Sequence, residues 1–247
     1  MEMTVMKISE KVKMDRDGLE EHGPITIVAF GDSITHGGFN DGEMDYDLVY
    51  WNRLRMKINE NYKYIPVNVI NAGIGGLTAH QSVARIDRQV LAHNPDLVIV
   101  CFGLNDVNVD KSIYLGALST IFERCKASGA EVIFMSPNML NTYVSEETSP
   151  MHLSYAARMC QIQTSGRMDE YMADACALAR ECGVAVCDCY SKWKELSKTQ
   201  DTTLLLANRI NHPTREMHKL FSDSLYEVIF SEENQQSGSD DGTMYKG

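Results

Sequence analysis

The sequence predicts a single α/β domain in which helices cover both faces of a parallel sheet, and three observations carry that prediction. Short β-rich apolar runs recur along the chain: ITIVAF (25–30), VNVI (67–70), DLVIVCF (96–102), EVIFM (131–135) and VAVC (184–187). Between them lie longer stretches with helical spacing, at about 46–60, 79–93, 111–128 and 151–182, and another at 214–230 follows the last run. The runs are almost continuously apolar instead of alternating, which is the pattern of strands buried on both faces. Strands alternating with helices imply right-handed βαβ crossovers, and hence a three-layer α/β/α sandwich.

Taken in order, each of the first three runs ends in small and polar residues. The first leads into Gly31-Asp32-Ser33, the second into Asn71-Ala72-Gly73-Ile74-Gly75-Gly76, and the third into Gly103-Leu104-Asn105-Asp106. Open parallel sheets bind ligands beyond the carboxyl ends of their strands. The three clusters are therefore expected to meet in one crevice. Ser33 precedes Ile34-Thr35-His36-Gly37-Gly38, a turn able to present a hydroxyl, although Asp32 or Ser33 serving only as a helix cap is the plainer alternative. The glycines of NAGIGG permit close backbone approach and expose N–H groups to an oxyanion; the plain alternative is a tight turn. Asn105 offers a side-chain amide to the same oxyanion, or else stabilises its own loop. Near the far end, Asn208-Arg209-Ile210-Asn211-His212-Pro213 opens the last helical stretch. The proline keeps His212 out of helical geometry, and an imidazole suits proton transfer near neutrality. His218, inside the following helix, reads as structural, and His36 lies close enough to Ser33 to line its pocket.

Composition narrows the class. With 44% apolar and 23% charged residues among 247, the chain is an ordinary globular protein with ample core. A net charge of −11 argues against a nucleic-acid partner, because phosphate neutralisation needs a basic surface. No stretch reaches the ~18 apolar residues of a membrane span. The N-terminal MEMTVMKISEKVKMDRDGLEEHG has no uninterrupted apolar segment of the signal-peptide kind, so the cytoplasm is the expected location. Seven cysteines, odd in number and without zinc-type spacing, read as reduced structural thiols. The domain is expected to span 1–232, with 1–23 an extension that adds a strand or helix to the sheet, and 233–247 a mobile polar tail.

In the order Ser, Gly, Asn, His, the segments FGDSITHG, NAGIGGLT, GLND and NHP resemble the SGNH hydrolases, also known as GDSL lipases and esterases, over residues 25 to about 230. The resemblance implies a flavodoxin-like fold with a central parallel sheet of about five strands. It implies Ser33 as nucleophile, the N–H groups of Ser33 and Gly76 with the Asn105 amide as oxyanion donors, and His212 as base. It implies an ester substrate, a small molecule or an acylated carbohydrate, and no metal or organic cofactor. One departure stands out: the family's Asp-x-x-His has Arg209 where the aspartate belongs. Asn208, Asp188, Asp201 or a backbone carbonyl remain as groups to orient His212.

Rival readings fare less well. A dinucleotide-binding turn would need G-x-G-x-x-G, and this chain has GDSITHGG after its first run and Thr78 at the third-glycine position of NAGIGGLT. No G-x-S-x-G elbow of an α/β-hydrolase occurs. A metallophosphoesterase using Asp32, Asp106 and His212 would lack the strand-end D-x-H pair. A catalytically silent glycan-binding relative is the remaining alternative. After the fourth run, Met139, Leu140, Tyr143 and Val144 are candidates to line an acyl pocket, with an ordinary loop the equal alternative.

Overall fold

A computed structural model of the chain describes residues 6–231. Five parallel strands, β1 (Ile25–Gly31), β2 (Val67–Gly73), β3 (Leu97–Cys101), β4 (Glu131–Met135) and β5 (Ala185–Cys187), form one sheet in the order β2-β1-β3-β4-β5. The helices are α1 (Ile8–Lys11), α2 (Arg16–His22), α3 (Ser33–His36), α4 (Tyr50–Asn61), α5 (Ala79–Ser82), α6 (Ile86–Gln89), α7 (Lys111–Ala127), α8 (Leu153–Thr164), α9 (Arg167–Glu181), α10 (Cys189–Leu196) and α11 (His218–Ile229).

The chain order reverses around β1, which pairs with β2 on one side and β3 on the other, so a switch point lies at its carboxyl end. Register makes that point useful. Gly31 sits opposite both Gly73 and Cys101, so the three strands finish level and release their polar clusters along one rim. β1, β3 and β4 are almost wholly buried, and their side chains belong to one continuous apolar cluster with the covering helices. Phe30 and Phe102 meet edge to face at 5.2 Å within it, directly beneath the rim.

Several boundaries differ from expectation, each for a local reason. α4 begins at Tyr50 rather than near 46, because the Asp45 carboxylate accepts the N–H groups of Asp47 and Leu48 and holds a turn there. The stretch 79–93 is broken into α5, α6 and two short 3₁₀ turns. Within it Arg85 turns inward to donate to the carbonyls of Ala72 (2.5 Å) and Gly31 (3.0 Å), at the ends of β2 and β1. The stretch 151–182 divides into α8 and α9 at Gly166, whose φ of 81° no helix accommodates. α10 was not expected; Asp188 caps it by accepting from the Ser191 N–H.

The expected N-terminal addition to the sheet takes helical form. Lys11 of α1 is buried and pairs with Asp96 at 2.7 Å, while the Ile8 N–H donates to Glu131 at 3.1 Å, so the segment closes the amino-terminal edge opposite the rim. The polar tail expected at 233–247 lies outside the described residues. No helix among the described residues is long and apolar enough to cross a membrane. Five of the seven cysteines are buried, and the sulfurs of Cys187 and Cys189 lie 3.6 Å apart, beyond bonding distance.

Candidate active site

Ser33 is the first residue of α3, a single turn closed by Gly37 at φ 100°. The capping and functional readings of this segment divide between neighbours. Asp32 is the cap, accepting the Ile34 N–H at 3.0 Å, which leaves the Ser33 hydroxyl uncommitted to the helix. Gly31 is obligatory: a Cβ there would lie 2.2 Å from the Thr35 hydroxyl and 2.5 Å from the Cys101 carbonyl. The turn is anchored from below, with Thr35 bonded to the Tyr50 hydroxyl (2.9 Å) and its carbonyl accepting from the Trp51 indole (2.9 Å).

The Ser33 Oγ lies 2.9 Å from His212 Nε2, across 179 positions of sequence. His212 Nδ1 lies 2.8 Å from the main-chain carbonyl of Phe39. A carbonyl only accepts, so Nδ1 carries the ring proton and Nε2 is the acceptor facing the serine O–H. That is the tautomer a general base needs. Of the four groups considered for orienting His212, the backbone carbonyl is the one in place. Asp188 is occupied by Ser136 and Ser191, and Asp201 by Tyr143 and Thr203. Asn208 instead shapes the loop, its Oδ1 accepting the N–H groups of Ile210, Asn211 and His212, each at 3.0 Å. Arg209 adopts φ 59°, and its guanidinium turns away to Glu147 and to the carbonyls of Leu204 and Leu206.

Burial lowers the His212 pKa below its ordinary value, opposed by the Phe39 carbonyl and by the charge of Asp41. The neutral ring is thereby favoured at neutral pH. A carbonyl stabilises an imidazolium less than a carboxylate would, and this is the electrostatic consequence of the missing aspartate.

Gly75 borders the serine, and Gly76 follows it in the loop. A Cβ on Gly75 would stand 3.6 Å from the Ser33 Cβ, while a Cβ on Gly76, at φ 80°, would meet open space. Asn105 joins them from the end of β3, donating one amide hydrogen to the Leu77 carbonyl at 3.1 Å. Asp106 accepts the Ala79 N–H at 2.8 Å. Two adjacent residues thus stitch the glycine loop to the third strand. Burial pushes the carboxyls of Asp32 and Asp106 up to about 7, with the charge of Asp106 adding to the effect at Asp32.

The structure brings Ser33, Gly76, Asn105 and His212 to the same rim. His36 belongs there too: its Nδ1 accepts a long bond from the Gly75 N–H (3.4 Å), and its ring leans on Tyr46. His218 is structural as expected, fully buried beside Phe39, Tyr50 and Phe221, with its Nδ1 accepting from the Tyr50 N–H and its pKa down to about 3 through burial. The acyl-pocket expectation fails for Met139 and Leu140, which are core residues at 4% and 0% exposure; Leu140 donates its N–H to Gln163. Their segment supports the histidine loop instead: Asn138 donates to the Asn211 carbonyl (2.9 Å), and the Asn141 N–H to the Ile210 carbonyl (2.9 Å).

Sequence reasoning passed over Phe39 and Asn138, and it offered Asn208 to the imidazole where the structure gives it to the loop backbone. Asn138 follows the carboxyl end of β4, so the strand-end rule carried one strand further finds it. Phe39 leaves no such signal, since it acts through its main chain. Among the described residues, no three His, Cys, Asp or Glu side chains gather as a metal site.

Residues 29–220 match the GDSL-like Lipase/Acylhydrolase family. The chain belongs to that family. One relative is the acetylxylan esterase of Geobacillus stearothermophilus, 25% identical over 180 residues, covering 68% of this chain and 74% of that protein. The uncharacterized lipoprotein YqeF of Bacillus subtilis (strain 168) is 31% identical over 129 residues, covering 48% of this chain and 51% of that protein, so the chain spans about half of that relative's length. Among solved structures, the acetylxylan esterase Axe2 of Geobacillus stearothermophilus superposes with a TM-score of 0.65 at 23% identity, covering 83% of this chain and 94% of that one. LAE5, an alpha/beta hydrolase enzyme from the metagenome of Lake Arreo, superposes with the same TM-score of 0.65 at 21% identity, covering 83% and 94%. At these identities the superpositions establish the shared fold. Solved catalytic mutants of Axe2 include replacements of a serine, a histidine and an aspartate. This member of the family has Arg209 three positions before its histidine, with the Phe39 carbonyl on the ring nitrogen.

Proposed function

We propose that this protein is a serine esterase that hydrolyses carboxylic esters through an acyl-enzyme on Ser33. The observation that carries the reading is the 2.9 Å approach of the Ser33 hydroxyl to the unprotonated nitrogen of His212. In the first half-reaction the serine oxygen attacks the ester carbonyl while Nε2 takes its proton, then returns that proton to the departing alcohol. In the second, water loses a proton to the same nitrogen, attacks the acyl carbonyl and releases the acid. The tetrahedral oxyanion of each half is assigned to the N–H groups of Ser33 and Gly76 and to the second amide hydrogen of Asn105. Every step uses groups of the chain and water.

Incubation with a fluorophosphonate followed by peptide mass mapping tests this reading, with label expected on the Ser33 peptide. Label elsewhere, or none, would reject it. Asn105→Ala is expected to lower kcat by ~10²–10³-fold, the usual cost of one oxyanion donor. Steady-state kinetics on an aryl acetate check this, and a parent-like kcat would remove Asn105 from the reaction.

A second reading, an esterase that removes acetyl groups from carbohydrates, is supported by the acetylxylan esterase relative and by Tyr46. That side chain is 50% exposed and its ring edge lies 3.3 Å from where a Cβ on Gly37 would be, so an aromatic face stands next to the nucleophile turn. Sugar rings pack on such faces. Aryl acetates and acetylated xylooligosaccharides assayed side by side separate the two readings.

A further inference from the structure

The carbonyl that holds His212 belongs to a tight turn, and the turn is held from outside. Its ends are tied by the Asp45 N–H donating to the Gly37 carbonyl (2.9 Å), and its middle by the Phe39 N–H donating to the Glu43 carbonyl (3.0 Å). A short antiparallel bridge joins Gly38 to Met44. Arg215 then grips this turn in three ways. Its Nε donates to Asp45 at 2.7 Å, its Nη2 donates to Glu43 at 2.5 Å, and its guanidinium carbon lies 4.5 Å from the centre of the Phe39 ring. The Arg215 carbonyl is itself held by Arg53 at 3.2 Å.

We propose that Arg215 is a positioning residue for His212, clamping the Gly37–Asp45 turn so that the Phe39 carbonyl takes over the part of the family's absent aspartate. The inference rests on the esterase reading above and adds the device that makes it work without a carboxylate. Arg215 lies three residues beyond His212, so the segment that carries the imidazole also carries the group that holds its partner. The path closes on itself: ring nitrogen, carbonyl, turn, two carboxylates, guanidinium, and back along the chain to the ring. Arginine suits this place because its planar fork reaches two acceptors and stacks on an aromatic ring together, which a lysine ammonium does not do. A carbonyl is worth having as an orienter only if it stays put, and an unclamped surface turn would not.

Other groups face the imidazole and are accounted for. Asp41 lies in the same turn and is paired with His152 at 2.9 Å; His218 of α11 packs on the Phe39 ring; Asp32 lies under Ser33. The Arg215 charge also contributes to the lowered pKa of His218, so the test reads the ring signals of His212 itself.

The test uses the full chain with Arg215→Gln, Arg215→Lys and the pair Glu43→Gln/Asp45→Asn. Arg215→Gln is expected to lower kcat by about 10- to 100-fold with KM within about twofold, since a misplaced base costs the chemical step and not binding. Arg215→Lys should recover only a minor part. The acidic pair should show the same loss, and adding Arg215→Gln to it should cost less than about another twofold, because both remove one clamp. Nitrogen-15 spectra of the His212 ring give a readout independent of turnover: the parent shows its proton on Nδ1 in slow exchange, and the variants a mixture of tautomers in faster exchange. If the parent hydrolyses no ester, the esterase reading fails while the ring spectra still decide this inference. Folded variants with parental kcat and a parental Nδ1 proton overturn it. Where Arg215→Gln does not fold, the acidic pair decides alone.

Discussion

Ser33→Ala is expected to abolish esterase turnover, with kcat falling by about 10⁴–10⁶-fold, the range seen when a serine nucleophile acting as one unit with its base is removed. The size follows from the geometry. Ser33 is the hydroxyl bonded to His212 Nε2, and alanine leaves that nitrogen without the oxygen it deprotonates. The fold should not suffer, because Asp32 caps α3 and Thr35 anchors it, both independently of the serine side chain. Fluorophosphonate labelling should vanish together with turnover while the circular dichroism spectrum stays parental. A folded Ser33→Ala protein retaining more than about a hundredth of the parental rate would place the nucleophile elsewhere.

Removing the base has the second largest expected effect. His212→Ala should cost a similar factor, about 10⁴–10⁶-fold in kcat, because serine and histidine fail together. The pH dependence carries more information than the loss. Protonated His212 cannot accept the serine proton, so kcat/KM should fall as pH drops through the free-enzyme pKa of this ring. Burial holds that pKa below the ordinary histidine value of ~6.5, so the midpoint of the acid limb is expected beneath it. A carboxylate partner would have moved the limb the other way. Asp32 and Asp106, both pushed up to about 7, are the groups able to imitate a limb near neutrality. The profiles of Asp32→Asn and Asp106→Asn distinguish them: a limb that persists unchanged in both belongs to the imidazole. A limb in the parent centred well above ~6.5, and unmoved by either substitution, would contradict the carbonyl-held histidine.

Much of the rim was legible from local sequence because strand ends announce themselves. An apolar run that stops at Gly31-Asp32-Ser33 or Gly103-Leu104-Asn105 records both the strand and the group it delivers. The register adds what local reading cannot, namely that Gly31, Gly73 and Cys101 finish level, so the three deliveries meet. Helix interruptions were less legible. The inward turn of Arg85 depends on contacts with the ends of β1 and β2, the break at Gly166 on a left-handed φ of 81°, and helical periodicity alone bridges over both. The acyl-pocket expectation at Met139 and Leu140 went astray for a related reason. Apolar residues after a strand look alike whether they face a cleft or the core, and here Asn138 and Asn141, on either side of the two, dock the segment beneath the histidine loop.

By itself the sequence determined the sheet, because apolar runs record it, and through its resemblance to the family it pointed to Ser33, Gly76, Asn105 and His212 as the groups of the rim. It also determined that Arg209 stands where an aspartate was expected. Only the tertiary structure decided what holds His212 in place of that aspartate. The holder is a peptide carbonyl 173 positions away, and every residue has one. A backbone acceptor has no residue identity to read; what singles it out is where the turn around it is clamped.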